Sequence, residues 1–188
     1  MSALGEKSFG TVFSSPLGWL ALVGRGEKLL WLSFGHRWRR AAVAKLQAFA
    51  PTVRIQPARS LENWNHALVP RVQAYAWGEP DDFTDIEIEA SDLSRFQQRV
   101  LRLCRRIPPG ETITYAELAA RAGSPAAARA VGNAMAQNRI PLVVPCHRVV
   151  GSGGSLGGYS APGGLATKRR LLAMEQDAAA LALPVPAH

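Results

Sequence analysis

Short apolar runs broken by turn residues fill the first 34 positions: FGTVFSS, LGWLALVG and KLLWLSFG, separated by Ser15-Pro16-Leu17-Gly18 and Gly24-Arg25-Gly26-Glu27. Runs of this length bounded by Gly and Pro predict antiparallel strands joined by tight turns. From His36 to Ala50 the spacing changes, with Trp38, Val43, Leu46 and Phe49 three to five residues apart among Arg and Lys, which predicts an amphipathic helix. A second helix is expected within Ala58 to Trp77, kinked or broken at Pro70, and a short strand over Phe83 to Ile88. Beyond Ser91 the pattern is helical. Phe96, Val100, Leu103, Cys104 and Ile107 share one face, and Pro108-Pro109-Gly110 stops the helix. Thr114-Tyr115-Ala116-Glu117 has the form of a capping box opening a short helix that ends at Gly123. Ser124-Pro125 reads as N-cap and first turn of the next helix, PAAARAVGNAMAQN. The last helix is expected to start near Thr167. Together these elements predict an α+β chain with a small antiparallel sheet and helices first and a helix-turn-helix in its second half.

Charge sharpens the division. The 188 residues carry a net charge of +8, but from Leu93 to Gln176 there are 12 Lys and Arg against only Glu111, Glu117 and Glu175. The remainder is close to neutral. An acidic cluster, Glu79, Asp81, Asp82, Asp85, Glu87, Glu89 and Asp92, precedes the basic half and marks the expected boundary. Three segments follow: 1–90 as scaffold, 91–176 as a basic unit suited to a polyanion, and 177–188 as a flexible tail. The helix PAAARAVGNAMAQN is almost all Ala and Gly apart from Arg129, Asn133 and Gln137. Small side chains suit a helix whose backbone presses close to a narrow groove. No apolar stretch approaches the roughly 20 residues that cross a bilayer, and the N-terminus lacks a basic then apolar leader, so no membrane partner and a cytoplasmic location are expected.

The two cysteines form no CxxC pair, and His36, His66 and Cys104 lack ligand spacing, so no metal site is expected. Cys104 reads as a core residue on its helix. Cys146 is different. The apolar run Ile140-Pro141-Leu142-Val143-Val144-Pro145 reads as strand-like and delivers it at its end, beside His147, into the glycine-rich GSGGSLGG. A thiol with an imidazole in reach is the minimum for an activated thiolate, since the base takes the proton and the thiolate attacks.

The strings GETITYAELAARAG, AARAVGNAM, PCHRVVGSGG and GGLATKRRLLAME, with Asn138 ahead of the cysteine, strongly resemble the O6-alkylguanine-DNA alkyltransferases over roughly Phe96 to Glu175. The N-terminal half resembles them more loosely, through SPLG and its α+β pattern. The resemblance implies an RNase H-like first domain and a winged-helix-like second one. It implies repair of O6-alkylguanine in double-stranded DNA, irreversible alkyl transfer to Cys146, no cofactor, and action as a monomer. In these terms His147 is the base acting through a water, Glu175 orients it, Asn138 braces the turn, and Tyr115 serves the flipped guanine and the DNA phosphate beside it. Arg129 fills the gap left in the duplex, Ser124, Ser152 and Gln97 touch DNA, and Pro141, Val149, Tyr159 and Ser160 line the substrate pocket. Ser160 to Gly164 makes a longer loop than in some members, which leaves alkyl size open. Two other readings fit parts of the sequence: a lesion-binding module related to the family but lacking the thiol, which the presence of Cys146 opposes, and a Cys-His hydrolase, which leaves the helix pair and basic half unexplained.

Overall fold

The structure, a computed structural model, describes residues 8–181. Three strands, β1 (Ser8–Ser15), β2 (Gly18–Arg25) and β3 (Lys28–His36), form an antiparallel meander. The helix α1 (Arg39–Phe49) then crosses over so that β4 (Arg54–Gln56) lies parallel to β1, giving the order β3-β2-β1-β4. One face of the sheet packs on α1 through Val12, Ala21, Val23, Ala42 and Leu46. The other face packs toward the second half of the chain.

The helix expected over Ala58 to Trp77 is interrupted, but not at Pro70. A 3₁₀ turn covers Ala58–Leu61, and Asn65, His66 and Ala67 all have positive φ before α2 (Leu68–Ala76) begins. Pro70 sits in the first turn of α2, where its missing N–H costs nothing. The break is held by Asn65, whose side chain pairs with both the N–H and the C=O of Glu87 (2.9 Å each). The strand expected over Phe83 to Ile88 does not form. Asp81 and Asp82 accept hydrogen bonds from the backbone N–H groups of Phe83 and Thr84 and turn the chain there, leaving one parallel bridge from Ile88 to Leu29.

The second half is helical. In α3 (Arg95–Cys104), Ser94 and Gln97 form a capping box, and a second box, Thr114 with Glu117, opens α4 (Tyr115–Arg121). The next helix, α5 (Ala128–Ala136), starts three residues later than expected, because Ser124 spends its carbonyl on a turn to the Ala127 N–H (2.9 Å) and Ala127 is the cap. The run from Ile140 to Pro145 is turn, not strand. Val144 N–H bonds back to Ile140 C=O (2.9 Å), and Leu142 takes a φ of 72°. Short strands β5 (Ile113–Thr114) and β6 (Val149–Val150) pair in parallel on either side of it. The last helix, α6 (Gly164–Leu181), begins before Thr167 and extends into the segment expected as tail; 182–188 lie outside the described residues.

One hydrophobic cluster joins Leu20, Leu29 and Leu68 of the first half to Val100, Cys104, Val131 and Leu171 of the second. The turn that carries Cys146 is therefore clamped between sheet and helices. Cys104 is wholly buried in this cluster.

Candidate active site

Asn138 shapes the turn that carries the cysteine. Its amide donates to the Val144 carbonyl (2.8 Å), and its oxygen accepts from the Ile140 N–H (3.0 Å), so one side chain supplies the pairing a strand neighbour would give. Pro145 then bends the chain into a single 3₁₀ turn, Cys146–Arg148, whose three side chains are all buried. Cys146 keeps 6% of its surface exposed and lines a cavity of about 400 Å³ with Tyr115, Gly132, Met135, Gly158, Tyr159 and Ser160. Cys104 lines neither this cavity nor the second one that Cys146 reaches. Burial pushes the Cys146 thiol above the ordinary value, and the Asn138 hydrogen bond and the Lys168 charge pull back part of that rise.

His147 is fully buried behind the thiol, with Nε2 2.9 Å from Glu175 Oε1. Burial lowers its pKa against the raising effect of Glu175, so the ring is neutral at pH 7. Burial also pushes Glu175 upward, but hydrogen bonds from His147 and Arg148 prevail and hold it well below the usual carboxylate range. An ionised carboxylate only accepts hydrogen bonds. The imidazole proton must therefore sit on Nε2, which leaves the lone pair on Nδ1. Nδ1 is buried and has no hydrogen-bond partner among the described residues.

Glu175 is shared more widely than the sequence suggests. Arg148 donates to it through Nε (3.0 Å) and Nη2 (2.7 Å), Tyr75 donates its hydroxyl (2.5 Å), and the Gly110 N–H donates to the other oxygen (3.2 Å). Arg148 also donates to the Ile107 carbonyl (2.6 Å). Lys168, fully buried, donates to the carbonyls of Val149 (2.6 Å) and Leu156 (2.5 Å), with its ammonium 5.9 Å from the centre of the Tyr115 ring. Sequence reasoning missed all three side chains. Arg148 stands inside PCHRVV and Lys168 inside ATKRRLL, so a signal existed for them. Tyr75 lies 100 residues from Glu175 and had none.

Tyr115 is the first residue of α4, half-buried against Gly157, where any side chain would come within 2.8 Å of the ring. Tyr159 and Ser160 line this cavity and the second one that also reaches Cys146, whereas Pro141 lines only the second. Val149 lines neither. It is fully buried in the β5–β6 ladder, a correction to its expected place in the pocket. Arg129 is exposed on α5, Ser152 is exposed at the start of a short 3₁₀ turn, and Ser124 is half-exposed between α4 and α5. Gln97 caps α3 and reaches Gln137 (3.3 Å).

This geometry defines a class: a mixed α+β protein that keeps one buried thiol at the wall of a cavity, next to a neutral imidazole locked in one tautomer. Residues 95–177 match the family model "6-O-methylguanine DNA methyltransferase, DNA binding domain". A methylated-DNA–protein-cysteine methyltransferase of Mycolicibacterium paratuberculosis is 50% identical over 108 residues, 57% of this chain and 63% of that one. The Mycobacterium tuberculosis relative of the same name is 37% identical over 171 residues, 88% of this chain and 90% of its own. The crystal structure of Mycobacterium tuberculosis OGT in complex with DNA superposes with a TM-score of 0.70 at 34% identity, covering 90% of this chain and 94% of that one. The chain belongs to the methylated-DNA–protein-cysteine methyltransferases, DNA-repair proteins in which an alkyl group is transferred to a cysteine.

Proposed function

We propose that this chain takes the alkyl group of an O6-alkylguanine, flipped out of duplex DNA, onto Cys146 in a single irreversible turnover. The observation that carries the reading is the pairing of Cys146 at the cavity wall with a His147 whose Nδ1 lone pair is unpartnered. His147 Nδ1 takes the thiol proton, through a bridging water. The sulfur attacks the alkyl carbon, an S–C bond forms, and the C–O6 bond breaks with its electron pair passing to guanine. Burial raises the pKa of Tyr115, with the nearby thiols adding to it, so Tyr115 stays protonated and donates to the departing base. Atoms and charge balance within protein and DNA, so the reaction calls for no cofactor. No group in the cavity is set to cleave a thioether, and the protein is consumed.

Flipping costs a few kcal/mol of unstacking. The exposed Arg129, on a helix whose neighbouring residues are small, is the side chain suited to fill the gap, with Ser124 and Ser152 on the flanking phosphates. The meander with β4 parallel to β1 and α1 crossing between them supports an RNase H-like reading of 1–90. The α4–α5 pair beside β5–β6 supports a winged-helix-like reading of 91–176. One chain holds every group named, so the acting unit is a monomer, placed with the DNA in the cytoplasm. The test is intact mass after titration against an O6-methylguanine duplex. One added methyl per chain, on the peptide holding Cys146, is the expected endpoint; repeated turnover, or modification at Cys104, overturns it.

A further inference from the structure

The proposed reaction leaves one group of charges unused. Between Glu27 and Glu62 the chain holds seven Lys and Arg and no Asp or Glu, a surplus masked because the acids of the first half lie later. Four of these, Arg37, Arg39, Arg40 and Lys45, gather at and just before α1, and all four are exposed. Among the described residues none of them pairs with a carboxylate, whereas Arg25, Lys28, Arg71, Arg139 and Arg148 each do.

Folding alone gives no reason for this placement. Arg39 and Arg40 occupy the first turn of α1, which contains no acid and receives no side-chain cap bond. Cations there face the positive end of the helix dipole and repel one another. The Arg37 guanidinium lies 5.1 Å from the centre of the Trp38 ring, and Trp38 itself is 52% exposed, so the stacked pair is presented at the surface.

The patch also stands next to the reactive site. It directly follows Gly35 at the end of β3, where a Cβ would stand 3.5 Å from Pro162, in the loop that carries Tyr159 and Ser160. A second cavity, about 430 Å³, has His36 and Lys45 in its lining together with Cys146, Tyr159 and Ser160. A polyanion delivering a base to Cys146 lies within reach of α1.

We propose that Arg37, Arg39, Arg40 and Lys45 form a second phosphate-binding surface, which grips the duplex flanking the lesion outside the α4–α5 face. This rests on the reading that damaged duplex DNA is the substrate. Exposed arginines without carboxylate partners, one of them stacked on a surface indole, match a line of phosphates, and backbone contact of this kind adds affinity without sequence choice.

The experiment compares wild type with the triple variant Arg37→Ala/Arg39→Ala/Arg40→Ala on two O6-methylguanine duplexes. One just covers the α4–α5 face and the other is a helical turn longer on each side. Binding is measured across a salt series. On the longer duplex the triple variant should bind at least ~10-fold more weakly at low salt, with a log–log salt slope shallower by about 2–3, since each lost phosphate contact removes about 0.9. The shorter duplex and free O6-benzylguanine should react as with wild type, and Arg→Lys at the three positions should restore the slope. Wild-type affinity and slope on the longer duplex, with free-base reaction intact, overturn the proposal. So does an equal loss on both lengths. Failure of the wild-type chain to take a methyl group from either duplex is a separate result, and it overturns the functional reading instead.

Discussion

Replacing Arg148 with methionine separates the two partners of Glu175. The substitution keeps most of the side-chain volume but removes the Nε and Nη2 donors to the carboxylate and the Nη1 donor to Ile107. Removing one partner of a buried ion pair costs about 3–5 kcal/mol, because the remaining charge stays buried. Tyr75, His147 and Gly110 still donate to Glu175, which favours the lower end of that range. At roughly 2–4 °C per kcal/mol for a chain of this size, the melting temperature should fall by about 6–12 °C. Urea and thermal unfolding measure the loss, and Arg148→Met/Glu175→Gln, which removes the stranded charge, should recover a large part of it. The pH dependence has a definite sign. Glu175 is depressed in the folded state, so its contribution is present above its ordinary value of 4.5 and is lost as pH falls below it. The gap between wild type and Arg148→Met should therefore narrow in acid. A loss under about 1 kcal/mol, or a double variant no more stable than the single one, refutes the view that Arg148 neutralises Glu175.

Other outcomes follow from the same geometry. His147→Gln should slow alkyl transfer by about 10²–10⁴ and shift the iodoacetamide reactivity of Cys146 to higher pH, as removal of a general base does. Glu175→Gln should slow transfer as well; a wild-type rate in the folded variant would end the relay at His147 and make the carboxylate structural. Arg129→Ala should slow repair of duplex DNA far more than reaction with free O6-benzylguanine, which needs no flipping, and equal losses would move Arg129 from base extrusion to chemistry or folding. Burial lowers the pKa of both His147 and His36, so the unfolded chain takes up protons first as pH drops below the ordinary 6.5. Stability should fall there by up to about 1.4 kcal/mol per pH unit per histidine. Urea midpoints between neutral pH and pH 5.5 check this, and His36→Gln should remove part of the slope.

The meander, the capping box at Thr114 and the helix pair were legible because each is written locally, in turn residues or i, i+3 partners, whereas the equally local box at Ser94 and Gln97 went unread. The turn that presents Cys146 was not. Every residue from Ile140 to Val149 is buried, so the run has no polar face from which a period could be read, and strand and buried turn look alike. What decides it is Asn138, whose side chain replaces a neighbouring strand's hydrogen bonds. At Phe83 the apolar side chain of the expected strand is indeed inside, but the Asp81 and Asp82 carboxylates capture the backbone first. The thiol and its histidine were legible from the PCHRVV string, adjacency by itself being a weak signal. The full set of partners around Glu175 was not, because it is assembled from α2, the loop at Gly110, the reactive turn and α6.

That assembly changes the standing of the first ninety residues, which sequence reasoning treats as scaffold. Tyr75 of α2 reaches the carboxylate behind His147, and the pKa of its hydroxyl is raised, by burial first and then by the Glu175 charge, so it remains a donor at every working pH. The Leu32 N–H of β3 bonds to the Arg139 carbonyl (2.9 Å), next to the asparagine that shapes the cysteine turn. Arg139 in turn pairs with Asp92 at the start of the second half. The imidazole therefore keeps its tautomer, and the thiol its position, through groups drawn from both halves. A rigid mount of this kind suits the proposed single turnover at Cys146. The sulfur must stay protonated and shielded until a base enters the cavity, and burial of Cys146 does that at the expense of intrinsic reactivity. Under the proposed reaction the neutral His147, with its proton fixed on the side of Glu175, supplies the missing basicity through its free Nδ1.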